Sequence, residues 1–124
     1  MYTTNTGVER WNTIFQILSA PPRRQLIDSL LHAGPHEMVP LPSAANPPND
    51  PRPDRQLHVN LIHDHLPRLA NAGYVDWDQH PFQAQRGPEF EEIGSVLTAL
   101  QSFQDYPLQL QEACHRLPES EAGI

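Results

Sequence analysis

The sequence predicts a mainly α-helical domain with one small β-hairpin, an α+β fold, and three observations carry that expectation. Apolar residues recur at helical spacing in four separate segments, and residues 74–86 alternate apolar and polar side chains around a turn. Four of the 14 prolines fall within residues 46–54, where no helix or sheet interior survives. The 124 residues, 38% of them apolar against roughly 45–50% in an average soluble protein, allow one domain with a modest core. The expected division is a flexible N-terminus at 1–7, a domain at 8–104 and a helical extension with a tail at 105–124.

Trp11, Ile14, Phe15 and Leu18 fall at i, i+3, i+4 and i+7, one face of a first helix. Ser19-Ala20-Pro21-Pro22 breaks it and starts a second, with Ser19 a candidate N-cap and the prolines in the first turn. Leu26, Ile27, Leu30 and Leu31 continue to the stop at Ala33-Gly34-Pro35. A very short strand near Met38 to Leu41, a helical stub capped by Ser43 and the Pro-rich loop 46–54 follow. Leu57, Leu61, Ile62, Leu66, Leu69 and Ala70 define the next helix, closed by Gly73 at C′. Pro67 inside it withdraws the N–H that the His63 carbonyl would use, so a kink is expected between His63 and Pro67. Residues 74–78 read as a strand, Gln79-His80-Pro81 as a turn and 82–86 as the returning strand. Ile93, Val96, Leu97, Leu100 and Phe103 form a last strong stripe; Leu110, Ala113, Cys114 and Leu117 form a weaker one. Helix, helix, short strand, stub, helix, hairpin and helix is the order of a winged helix-turn-helix domain with helices added at its ends.

All eight basic residues are arginine against 15 acidic ones, a net charge of −7 with no lysine. A cytosol of very high salt accounts for this, because screening makes an acidic surface cheap; GC-rich coding bias is the alternative source. The charge is uneven. Residues 1–54 carry four Arg and five acids, 55–86 three Arg and three Asp, and 87–124 one Arg and seven acids. No run approaches the about 20 apolar residues of a membrane span, and the N-terminus lacks a secretory signal, so cytoplasmic residence is expected. The single Cys114 can form no internal disulfide.

Chemistry-bearing motifs are sparse. There is no phosphate-binding glycine loop and no nucleophile elbow, so no catalytic residue and no cofactor is expected. His63-Asp64-His65 suggests a metal pair, but i, i+2 spacing puts the rings on opposite sides of a helix, so no metal site is expected. One of these histidines is expected to donate to a carbonyl freed by Pro67 or to cap the junction. Asp76 and Asp78 read as the solvated face of a strand, and Glu89, Glu91 and Glu92 as acids favoured at a helix start. Arg23-Arg24 fits either phosphate or a surface pair.

Residues 59–77 resemble the recognition helix and wing entry of ArsR-type winged-helix regulators. Their His-Leu-x-x-Leu-x-x-Ala-Gly-x-Val signature is met by His65, Leu66, Leu69, Ala72, Gly73 and Val75. A closer resemblance is to a haloarchaeal group of winged-helix domains of unassigned function. It rests on His63, His65, Leu66, Pro67 and Leu69, together with Ile14, Phe15, Ile17, Leu18, Ser19, Arg23 and Arg24, and spans about residues 11 to 100. The resemblance implies a transcriptional regulator that binds double-stranded DNA, with the helix at about 55–66 in the major groove and a wing at 79–86 on the backbone or minor groove. It implies as contact residues Arg55, Gln56, His58, Asn60, His63, Asp64 and Arg68 on the helix, and His80, Gln83, Gln85 and Arg86 on the wing. Asp64 departs from the basic residue that many such helices carry before His-Leu. The terminal helices offer more apolar surface than so small a domain covers alone, so a homodimer through Trp11, Ile93, Val96, Leu97, Leu100 and Phe103 is expected. The alternative is a winged-helix module that binds protein through loop 46–54 or the acidic C-terminus and does not bind DNA.

Overall fold

The computed structural model describes residues 6–102. Helices α1 (Thr6–Leu18) and α2 (Pro21–His32) are followed by strand β1 (Val39–Pro40) and a 3-10 turn at Ser43–Ala45. A continuous helical rod over 54–71 comprises α3 (Asp54–Asn60), a π segment (Leu61–His65) and α4 (Leu66–Asn71). Strands β2 (Val75–Gln79) and β3 (Phe82–Arg86) and helix α5 (Phe90–Ser102) complete it. The three strands form one antiparallel sheet in the order β1-β3-β2. The mainly helical α+β class therefore stands. No helix of the described residues is long and apolar enough to cross a membrane. The expected extension at 105–124, with its stripe from Leu110 to Leu117, lies outside the described residues.

The rod's core side is set by Leu57, Leu61, Leu66 and Leu69, all fully buried. Their spacing contains one five-residue step, which in a straight α-helix would turn Leu66 about 140° away from Leu61. The π segment absorbs the extra residue, with the Leu66 N–H bonded to the Leu61 carbonyl five residues back. The expected disturbance at Pro67 thus takes the form of a π segment one turn ahead of it. The rod ends in a Schellman motif: Tyr74 N–H bonds Leu69 O, Gly73 N–H bonds Ala70 O, and Gly73 takes φ +82°.

The hairpin turns on two residues, His80 and Pro81, rather than three, and Gln79 is paired with Phe82. That register sets Val75, Trp77, Phe82, Ala84 and Arg86 on the inner face and Asp76, Asp78, Gln83 and Gln85 on the outer one. Gly87 closes the hairpin against the end of the rod, donating its N–H to Tyr74 O. A Cβ there would sit 2.6 Å from the Gly73 carbonyl oxygen and 2.8 Å from the Val75 nitrogen.

Three expectations are corrected. Ser19 does not cap α2; its hydroxyl donates to Gln16 O at the end of α1. Ser43 likewise donates to Pro40 O and does not cap the 3-10 turn. The α1 stripe is rotated: Ile14, Ile17 and Leu18 are buried, whereas Trp11 and Phe15 are exposed. Loop 46–53 is extended but closed, because the Asn46 side chain accepts from Arg52 N–H and donates to Arg52 O.

Gly87→Ala is expected to destabilise the domain by about 3 kcal/mol, the upper range of overpacking costs, because the obstacles are backbone atoms. Urea unfolding checks this, with Gly7→Ala in α1, where a Cβ meets nothing within 4 Å and helix propensity favours alanine, as the control expected to lose no stability.

Candidate nucleic-acid interface

The rod is held from beneath by one buried arginine. An α-helix leaves its last carbonyls without partners, and the break between α1 and α2 is short enough for the first-turn arginines of α2 to reach back to them. Arg23 Nε donates to Ile17 O at 2.9 Å and Nη2 to Gln16 O at 2.8 Å, while Arg24 donates to Leu18 O. Arg23 Nη1 lies 3.0 Å from His65 Nδ1, at the end of the π segment. A guanidinium only donates, so Nδ1 accepts and the imidazole is neutral, with its proton on Nε2. His65 is only 7% exposed, and burial, followed by the Arg23 charge, lowers its pKa. Asp64, 3.9 Å from Nδ1, acts in the opposite sense. Arg23 is therefore buried and not a phosphate ligand, Arg24 serves the end of α1, and of the two histidines expected either to donate to a freed carbonyl or to cap the junction, His65 accepts from Arg23.

Behind the hairpin, Glu92 accepts from Arg10 of α1 and from the Tyr74 hydroxyl at 2.7 Å. The Arg10 hydrogen bonds hold the Glu92 carboxyl below the usual carboxylate range, and burial pushes the Tyr74 phenol up. Glu92 thus ties α1, α5 and the entry to β2 together, beyond the helix-start role read for it.

The implied contact residues separate into four groups. Arg55, Gln56 and His63 are exposed and Asn60, one turn from Leu57, is half-buried at the flank of the leucine face, and none has a side-chain partner among the described residues. His58 instead packs against Phe82 with ring centroids 4.5 Å apart, joining rod to hairpin. Asp64 and Arg68 are exposed but hydrogen-bonded to each other, which lowers the Asp64 pKa. Of the implied contacts on the hairpin, His80 at the tip is exposed and the other three are half-buried. Gln83 and Gln85 lie directly opposite Asp78 and Asp76, so that face presents carboxylates beside its amides. Arg86 is turned inward: it donates to Leu30 O and Ala33 O at the end of α2 and covers the Phe90 ring at 4.9 Å. It caps a helix and is not at the wing tip.

The expected dimer surface does not exist as one patch. Ile93 and Leu97 are fully buried in the chain's own core and Val96 is half-buried, while Phe103 lies outside the described residues. Of the large apolar side chains left exposed among the described residues, Val8, Trp11 and Phe15 lie on α1 at 61%, 51% and 63%, with the two rings 5.7 Å apart, while Leu100 of the expected set and Val59 of the rod are exposed elsewhere. Among the described residues no three His, Cys, Asp or Glu side chains are grouped to hold a metal. In comparisons with known proteins, no family model matches the chain, and no curated protein and no solved structure matches it.

Stability is expected to fall with acid in two windows. His65 binds its proton less readily folded than unfolded, so its contribution is complete above the unfolded pKa of about 6.5 and is lost as pH drops through the lower folded value. Asp64 and Glu92, also lowered, act only below about pH 4.5. Urea midpoints at pH 7.5 and 5.5 check the first window: the wild type loses stability between them, and His65→Gln, which keeps an acceptor that does not titrate, loses less.

Proposed function

We propose that this chain is a winged-helix protein that reads double-stranded DNA with the exposed face of the 54–71 rod, and that it is a transcriptional regulator similar to the ArsR type in a salt-rich cytoplasm. The observation that carries the reading is the row Arg55, Gln56, Asn60 and His63: polar, without side-chain partners among the described residues, and placed on a rod whose other side is anchored in the core. Side-chain amides pair bidentately with adenine and arginine suits guanine or phosphate, so this row carries the donors and acceptors that a major-groove edge presents. The sheet order β1-β3-β2 beside the rod supports the winged-helix assignment. The His80 tip is the part of the wing that remains for a backbone contact.

The electrostatics make this an unusual reader. Arg68 is bonded to Asp64 and Arg52 to Asp50, which leaves Arg55 as the arginine of the rod without a partner among the described residues. Little of the affinity then comes from counterion release, and base-edge contacts dominate, a balance that suits molar salt. A second reading, a module that docks protein and not DNA, is favoured by the carboxylates beside Gln83 and Gln85. The same proposal includes a homodimer, now through Val8, Trp11 and Phe15 of α1.

Selection from a random duplex pool in molar KCl is expected to enrich a defined sequence. For that duplex Asn60→Ala is expected to weaken binding by about 10-fold or more, the value of a bidentate base contact. The logarithm of affinity should fall with the logarithm of salt at a slope of only about −1 per protomer, since roughly 0.9 counterion is released per phosphate contact. Failure to enrich any sequence favours the protein-docking reading. Sedimentation equilibrium is expected to give a dimer that Trp11→Glu with Phe15→Glu converts to a folded monomer.

A further inference from the structure

We propose that Val59 is a specificity-determining residue that recognises the 5-methyl group of a thymine. The inference rests on the DNA reading above and assigns a role that the polar row alone does not. Along the rod the other large aliphatic side chains are turned inward: Leu57, Leu61, Leu66 and Leu69 are fully buried and Ile62 is half-buried. Val59 is 49% exposed and stands between Arg55 and His63, one turn to either side, with Gln56 and Asn60 on its flank.

Nothing in the fold accounts for a valine there. A β-branched residue in the solvent-facing interior of a helix loses χ1 freedom and lowers helix propensity, and its methyl groups remain in water. Its neighbour His58, not Val59, makes the contact with the hairpin through Phe82. The aromatic pair and valine of the other apolar surface lie on α1, a separate element.

The chemistry of the major groove supplies a reason. Each base edge there presents donors and acceptors, and the thymine 5-methyl is the one apolar group among them. An A·T pair offers adenine N7 and N6 to an amide and the thymine methyl to an apolar side chain. A valine flanked by Gln56 and Asn60 matches that combination on one or two adjacent pairs. A methyl contact is also insensitive to charge screening, so it persists in the salt that suppresses phosphate contacts.

The test starts from the duplex selected with the full chain in molar KCl and replaces each thymine singly by deoxyuridine, which pairs identically and lacks only the methyl. For the wild type, one such replacement per half-site is expected to weaken binding by about 4-fold, the transfer value of one methyl group. Val59→Ser, which circular dichroism should show folded because the position is exposed, is expected to bind the thymine and deoxyuridine duplexes equally. If no deoxyuridine replacement affects the wild type, or if the sensitivity survives in Val59→Ser, the role of Val59 is overturned while DNA reading stands. If the pool yields no duplex at all, the DNA reading falls and the Val59 proposal with it.

Discussion

The guanidinium of Arg23 is the interaction on which the arrangement depends. A buried cation is costly unless every donor finds an acceptor, and here the acceptors come from three places in the chain: the last turn of α1, the Ser19 hydroxyl and the imidazole of His65. None of these is a carboxylate. The partial negative charge at the C-terminus of α1 offsets the cation, and the side chain that spans the gap fixes α1, α2 and the π segment relative to one another. Because arginine cannot give up its proton at any ordinary pH, His65 is the member of the pair that must remain neutral.

The opposite end of the rod is fixed by shape. The Schellman turn at Gly73 brings the chain into Tyr74, whose ring is fully buried and whose hydroxyl reaches Glu92, and Gly87 lets the hairpin close against the same backbone. His58 against Phe82 completes the joint between rod and hairpin. Held at His65 and at Gly73, the rod has no freedom to turn its leucines outward. The row from Arg55 to His63 is therefore presented to solvent by constraints located elsewhere, the preorganisation that a reading surface requires.

Much of the fold is legible in the sequence because it depends on local periodicity. Leu26, Ile27 and Leu30 mark α2, and the Gly73 stop and the alternation around His80-Pro81 are visible without coordinates. The departures arise where one residue of register decides the outcome. A two-residue turn in place of three moves Ala84 from opposite Asp76 to opposite Trp77, and with it aligns Gln83 and Gln85 with Asp78 and Asp76. The step from Leu61 to Leu66 signals a π segment to a reader who measures it, but the same leucines also fit a kinked helix. On α1, Trp11 and Phe15 satisfy the helical pattern as well as Ile14 and Ile17 do; which pair is buried is decided by how α1 packs on the rest of the chain, which local periodicity does not specify. Arg23 offered a signal too. Arginines in the first turn after a two-residue break stand within reach of the preceding helix's carbonyls, yet only tertiary structure brings His65 to the same guanidinium.

The proposed DNA reading assigns function to a small, nearly neutral row of side chains, and its direct test is to see which surface responds to duplex DNA. Backbone amide and side-chain resonances of the full chain, followed in molar KCl while a selected duplex is added, report this residue by residue. Saturable shifts confined to Arg55, Gln56, Val59, Asn60, His63 and the His80 tip are the expected result. Shifts centred on Trp11 and Phe15, or no saturable shift at any concentration of duplex, would contradict the assignment of the rod as the reading element.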